Sequence, residues 1–241
     1  MTSVDVSIII PVYNRSELFD LLSKSLVGQS MTNWEALVID DGSVPADYNV
    51  FQKSCEQDRR FLFQKREGNI KGANACRNQG IRQATGRFII FLDSDDCLSL
   101  PDCLKERVQF LDNRPDLDFC VSPAQVFCET PGDTDLLHNI ITDEPFLFRF
   151  LKRDIPFQTT GPTWRRESLD TVGPWDGRLP SAQDWDFHIR ALLAGLSCET
   201  TPKGLSFWRA ASPHGSIGEE VRKHKHASIM AKLLTLKMQK N

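Results

Sequence analysis

Four short stretches constrain the fold of this 241-residue chain more than any other feature: "VSIIIPV" (6–12), "EALVID" (35–40), "RFLFQ" (60–64) and "RFIIFLD" (87–93). Near-continuous apolar runs of this length mark β-strands covered on both faces. Between the first two lies "SELFDLLSKSL", with Leu18, Leu21, Leu22 and Leu26 at helical spacing and Ser16 placed as an N-cap. Before the fourth lies "GANACRNQGIRQATG", a predicted helix closed by Gly86. Strands alternating with helices predict an α/β fold, a mostly parallel sheet in a three-layer α/β/α sandwich.

Composition narrows the class of protein. At 40% hydrophobic and 25% charged residues the chain is expected to fold into a packed domain. Its seven cysteines include no C-x-x-C pair, which argues against a disulfide framework or a zinc knuckle and suits a reducing compartment. The N-terminus has no basic segment ahead of an apolar one and no run approaches a membrane span, so a cytoplasmic protein is expected. From Gly218 onward six Lys and Arg face two Glu, or +4; the remainder has 23 basic against 30 acidic residues, or −7. An acidic body disfavours nucleic acid as a partner. We read 1–217 as one domain made of two halves, the first to about residue 98 and the second from 99 to 217. Residues 218–241 read as a basic helix with Val221, Ile229, Leu233 and Leu236 on one stripe. The stripe fits packing on the domain or a second subunit, and the charge also fits an anionic membrane surface.

Ligands of such sheets lie at the carboxyl ends of the strands, where this chain keeps its polar clusters. "YNR" (13–15) follows the first strand, "DDGS" (40–43) the second and "DSDD" (93–96) the fourth. The triplet Asn14-Arg15-Ser16 is also a glycosylation sequon, read here as incidental. In an extended segment Asp93 and Asp95 would share a face, a hard-oxygen site for Mg²⁺ or Mn²⁺. The same letters also suit a solvated acidic turn with Asp96 as a helix N-cap.

Taken in order, "SIIIPVYNR", "ALVIDDGS", "GANACRNQGIRQATGRFIIFLDSDD" and "GPWDGRLPSAQDWDFHIRALLAG" resemble the successive motifs of the family 2 glycosyltransferases, over roughly residues 5–217. The resemblance implies a GT-A fold and inverting transfer of a sugar from a nucleotide-diphospho-sugar, usually UDP-linked, with Mn²⁺ or Mg²⁺. It places Pro11, Tyr13, Asn14, Asp40, Arg77, Asp93 and Ser94 around the nucleotide. Asp95 becomes the metal ligand, and Asp96 completes the motif. It makes Asp184 the base that deprotonates the acceptor hydroxyl, with Asp186 as the alternative. Gln183 stands where the family often has Glu. "FWRAASPHGSIG" resembles more loosely a segment that closes over the donor phosphates. That likeness nominates His214 for the metal and Arg209 and Ser216 for phosphate contact.

Residue spacing also allows plainer roles. Ser181-x-x-Asp184 has the spacing of a capping box, so Asp184 reads as a cap, a base, or both. Trp164 and Trp175 could face a sugar, although core packing suits them better, and His188 reads as packed or solvated. The acceptor, a glycan, a lipid-linked sugar or another hydroxyl, has no readable code. Rival classes are a nucleotidyltransferase, disfavoured because "PVYNRSELF" lacks glycine, and a non-catalytic nucleotide-sugar binder. The absence of G-x-G-x-x-G disfavours a nicotinamide enzyme.

Overall fold

The structure is a computed structural model that describes residues 4–138 and 142–210. His214, Ser216 and the basic segment 218–241 lie outside the described residues. The first half alternates β1 (Val6–Val12), α1 (Phe19–Val27), β2 (Trp34–Asp40), α2 (Pro45–Cys55), β3 (Phe61–Lys65), α3 (Ala73–Gln83) and β4 (Phe88–Phe91). Then follow β5 (Cys97–Leu98), α4 (Cys103–Asp112), β6 (Phe119–Val121), β7 (Ala124–Phe127) and α5 (Phe146–Leu151). The described chain ends with β8 (Pro162–Arg165), α6 (Ser168–Val172), α7 (Gln183–Leu193), β9 (Cys198–Thr200) and β10 (Ser206–Arg209).

Seven strands form the main sheet in the order β3-β2-β1-β4-β8-β6-β9. β3, β2, β1 and β4 run parallel, β8 is antiparallel to both β4 and β6, and β9 is parallel to β6. The apolar runs divide between the two faces as a doubly covered strand requires. Ile8, Ile10, Val38, Phe88 and Ile90 join one core cluster with Leu22, Leu26 and Phe51. Ile9, Leu37, Ile39, Ile89 and Phe91 join the other with Trp164, Trp175 and Phe187. Both tryptophans are thus core residues. A second sheet, β5-β10-β7, follows directly on the 93–96 turn through β5.

α3 lies directly on β1. A Cβ on Gly80 would sit 2.4 Å from Cγ2 of Ile9, so the contact needs glycine. Gly86 does not close this helix; α3 ends at Gln83 with Ala84 as its cap. A Cβ on Gly86 would lie 2.5 Å from the Ser7 amide nitrogen, and the Gly86 N–H donates to Ser7 Oγ at 2.8 Å. Close backbone approach, not helix termination, is what the glycine supplies.

The predicted caps also move. Ser16 opens a short 3-10 turn, Ser16–Leu18, and α1 starts at Phe19 with no side-chain cap. Ser16 is instead held by Asp47, whose Oδ1 accepts from its N–H at 2.9 Å. Ser181 does not cap α7: Ala182, in a left-handed conformation with φ 54°, occupies that position, and no side chain caps the helix. Segment 93–96 is a turn, with the Asp96 N–H donating to the Asp93 carbonyl at 3.0 Å, so Asp93 and Asp95 do not share a strand face. Asp96 caps no helix, because β5 follows it.

Candidate active site

The carboxyl ends of β1, β2 and β4 bring the loops 13–16, 40–44 and 93–96 to one edge of the sheet. Asp40 is buried, and its carboxylate accepts from the N–H groups of Gly42 and Ser43, both at 3.1 Å. Asn14 ties the first loop to the second. Its N–H donates to Ser43 Oγ at 2.8 Å, and its Oδ1 accepts from the Val44 N–H at 2.9 Å. Asn14 and Arg15 are both left-handed, with φ 51° and 55°, a conformation that costs about 1–2 kcal/mol per non-glycine residue. A pocket of about 300 Å³ opens beside this junction, lined by Asp40, Gly42, Ser43, Tyr48, Lys65 and Arg66. Tyr13 is exposed, Pro11 is half-buried on β1, and Ser94 is buried in the turn.

The three carboxylates of the turn have three different environments. Asp93 pairs with Arg77, Nη2 to Oδ1 at 2.7 Å. Asp95 faces Arg15, Nη1 to Oδ2 at 3.5 Å. Burial, followed by the charge of Asp93, pushes the Asp95 carboxyl up, while Arg15 and Arg209 pull it down. Asp96 is 1% exposed and accepts from Thr160 Oγ1 and, at 2.9 Å, from the Arg209 N–H. Burial, then Asp95 and Asp93, hold its carboxyl well above the usual range.

Arg77 links this turn to α7. Its buried guanidinium also donates to Asn74 Oδ1 at 3.1 Å and to Gln183 Oε1 at 3.3 Å, and it lies 4.6 Å over the Trp175 ring. Asp184 follows Gln183 on the half-buried first turn of α7. Burial pushes its carboxyl up and Asp93 adds to this, against the Trp185 N–H and Arg77. Asp186 is buried on another side of the helix and paired with Arg190 at 2.9 Å. Arg209 spends its guanidinium on the carbonyls of Asp95 and Cys128, at 3.2 and 2.8 Å. His188 is a core residue among Phe157, Trp164 and Phe187, and burial holds its imidazole down to about 3.

Arg15 and Asn74 were missed by the sequence reading. Arg15 was read only as the last residue of the "YNR" cluster at a strand's carboxyl end, with no role of its own. Asn74 had no separate signal: its Nδ2 donates to the Asp176 carbonyl at 2.8 Å, across 102 residues of chain. Asn78, one turn later, accepts from the Trp175 N–H and donates to the Trp175 carbonyl, both at 2.8 Å. One face of α3 thus grips the segment leading into α7.

Among the described residues, no three His, Cys, Asp or Glu side chains converge on a metal position. Asp93 and Asp95 nevertheless supply carboxylate oxygen at the rim, and burial, followed by the charge of Asp93, raises the Asp95 carboxyl. These donors fit a hard dication whose shell is completed by substrate phosphate, as Mg²⁺ commonly is.

The model of the family described as "Glycosyl transferase family 2" matches residues 7–173. EpsH of Bacillus subtilis (strain 168) is 29% identical over 201 residues, covering 79% of this chain and 56% of that protein. A poly(ribitol-phosphate) beta-glucosyltransferase of Bacillus spizizenii is 30% identical over 203 residues, 76% of this chain and 32% of that one. The chain therefore spans little more than half, or less, of these relatives. Among solved structures, S. aureus TarS 1–349 in complex with UDP-GlcNAc has a TM-score of 0.70 at 20% identity, covering 90% of this chain and 61% of that one. The mannosyltransferase PcManGT of Pyrobaculum calidifontis, in complex with GDP-Man and Mn²⁺, has a TM-score of 0.67 at 18% identity, covering 92% and 61%. Fold and motif order agree with the family model: this chain belongs to glycosyl transferase family 2.

Proposed function

We propose that the protein is a metal-dependent, inverting glycosyltransferase that moves a sugar from a nucleotide diphosphate, UDP-linked by preference, to an acceptor hydroxyl in cell-envelope glycan synthesis. The observation that carries this reading is the Arg77 bridge. One buried guanidinium joins Asp93, on the donor turn, to Gln183, beside the candidate base. The glucosyltransferase relative and the nucleotide-sugar complexes of TarS and PcManGT support the donor class. All seven cysteines are free, which goes with a reducing, cytoplasmic setting. No helix among the described residues is long and apolar enough to cross a membrane. Membrane contact and dimerisation through 218–241 concern residues outside the described ones.

In this reading the nucleobase enters the pocket beside Asp40, Tyr48 and Lys65, and Asp93 meets the ribose. A divalent ion held by Asp95 and the donor diphosphate supplies Lewis-acid stabilisation of the leaving phosphate. Asp184 accepts the acceptor hydroxyl's proton while the oxygen bonds to the anomeric carbon and the carbon–phosphate-oxygen bond breaks. A base whose carboxyl is raised by burial lies closer to neutral pH, where general-base catalysis is more effective. Arg77 keeps the donor and base sides in register. One displacement inverts the anomeric centre.

A thermal-shift panel of UDP- and GDP-sugars with and without Mn²⁺ tests the donor. A ligand at 100 times its Kd stabilises by about 2.7 kcal/mol, which for a chain of this size raises Tm by about 5–10 °C. No shift with any donor, or a product of unchanged anomeric configuration, would refute the proposal.

A further inference from the structure

The two consecutive left-handed residues after β1 are not glycines, and three hydrogen bonds hold them in place. The Asn14 N–H donates to Ser43 Oγ at 2.8 Å, Asn14 Oδ1 accepts from the Val44 N–H at 2.9 Å, and the Ser16 N–H donates to Asp47 Oδ1 at 2.9 Å. These bonds lie on both sides of Arg15 and fix the backbone that carries its side chain. Backbone strain retained in this way points to a function for the residue it places. The guanidinium ends 3.5 Å from the outer oxygen of Asp95, with both side chains partly exposed at 29% and 20%. Of the other arginines at this turn, Arg77 pairs with Asp93 and Arg209 reaches only the main-chain oxygen of Asp95. Arg15 is therefore the cation facing the Asp95 carboxylate, in a turn that also holds Asp93 and Asp96.

We propose that Arg15 is the resident counter-cation of Asp95: it neutralises that carboxylate in the donor-free protein and moves onto the donor's diphosphate when the metal arrives. The inference rests on the functional reading above. A guanidinium and a dication repel each other if both sit on one carboxylate, so metal alone must displace Arg15. A diphosphate brings enough negative charge for both cations. Metal binding thereby becomes dependent on the donor, and the empty enzyme is guarded against metal without substrate.

The test is a Mn²⁺ titration followed by the electron paramagnetic resonance of the free ion, with and without UDP, on the wild type, Arg15→Gln, Arg15→Lys and Asp95→Asn. Without UDP, Arg15→Gln should bind Mn²⁺ roughly fivefold more tightly, the equivalent of one partly exposed ion pair. It should also lose most of the tightening that UDP gives and bind metal-free UDP roughly fivefold more weakly. Arg15→Lys keeps the charge and should keep the wild-type pattern, and Asp95→Asn should bind Mn²⁺ weakly throughout. Wild-type Mn²⁺ affinity in Arg15→Gln, with UDP-dependence intact, overturns the inference and leaves the functional reading standing. A wild type that binds no Mn²⁺ even with UDP overturns both.

Discussion

Asp96→Asn should stabilise the donor-free protein at neutral and alkaline pH. Asp96 is 1% exposed, and Asp93 and Asp95 precede it in the same turn of chain. Two carboxylates about 6 Å apart repel by about 3 kcal/mol at an effective dielectric near 20. The guanidiniums on Asp93 and Asp95 offset much of this, and burial of the ionised form adds to it. A net gain of about 1–3 kcal/mol from removing the charge follows, or about 3–8 °C in Tm for a chain of this size. Asparagine keeps the two bonds, accepting from the Arg209 N–H and donating to Thr160 Oγ1. The sign with pH is fixed by linkage. A folded carboxyl held above its unfolded value of about 3.9 binds a proton that the unfolded chain has released, so wild-type stability falls as pH rises through that window. The variant lacks this term. Its advantage should be smallest below about pH 4, where the unfolded chain keeps the proton too, and grow as pH rises from there. Urea melts of both proteins across that range measure it. A variant less stable than the wild type at pH 8, or a gap that does not change with pH, would refute the assignment of a buried, proton-holding carboxyl.

Asp184→Asn should lower turnover by about 10²–10⁴-fold with little change in donor affinity, read from initial rates and donor titration. In the wild type the acid limb of the rate profile should lie above the ordinary carboxylate range, activity rising with pH as the raised Asp184 ionises. His188 is neutral when folded, held down to about 3, whereas the unfolded imidazole takes a proton near 6.5. Its contribution is thus present above pH 6.5 and lost below it. His188→Leu should spare the protein about 2 kcal/mol of acid destabilisation between pH 6.5 and 5, seen as a flatter Tm-versus-pH curve. Gly80→Ala should destabilise by about 1–3 kcal/mol, because its methyl would meet Ile9 at 2.4 Å. Adding Ile9→Ala should recover part of that loss in denaturant melts.

β1, β2 and β4 were legible because each is buried on both faces, so Ile8 to Ile10 and Ile89 to Phe91 had to be apolar without interruption. The second sheet was not. β5 has two residues, and β10 begins just after Gly204; pairing over such lengths is decided by tertiary contact, which leaves no periodicity. Caps failed for a related reason. Ser16 and Ser181 have the right letters, but Arg15 and Ala182 take left-handed backbones at the helix starts, and local spacing cannot see a kink held by a remote loop. Of the candidate site, the residue types and their rim position were readable. The arginine partners were not, since Arg77 reaches Gln183 across 106 residues.

Those partners explain how three carboxylates coexist at the end of a buried strand. Asp93 is matched by a guanidinium fixed on Trp175 and α3, an arrangement with little freedom to change. Asp96, enclosed and with its carboxyl held up by burial, pins the turn to β10 and to Thr160, so its role is to hold the backbone. Asp95 alone faces a cation that is partly solvated and set on a loop. A metal ion entering the rim would find Asp93 already committed and Asp96 enclosed. The exchangeable carboxylate is therefore Asp95. The order of effects among substitutions follows from this: Asp95→Asn should weaken metal binding most, Asp93→Asn should first loosen the Arg77 bridge and so α7, and Asp96→Asn should change stability before it changes either.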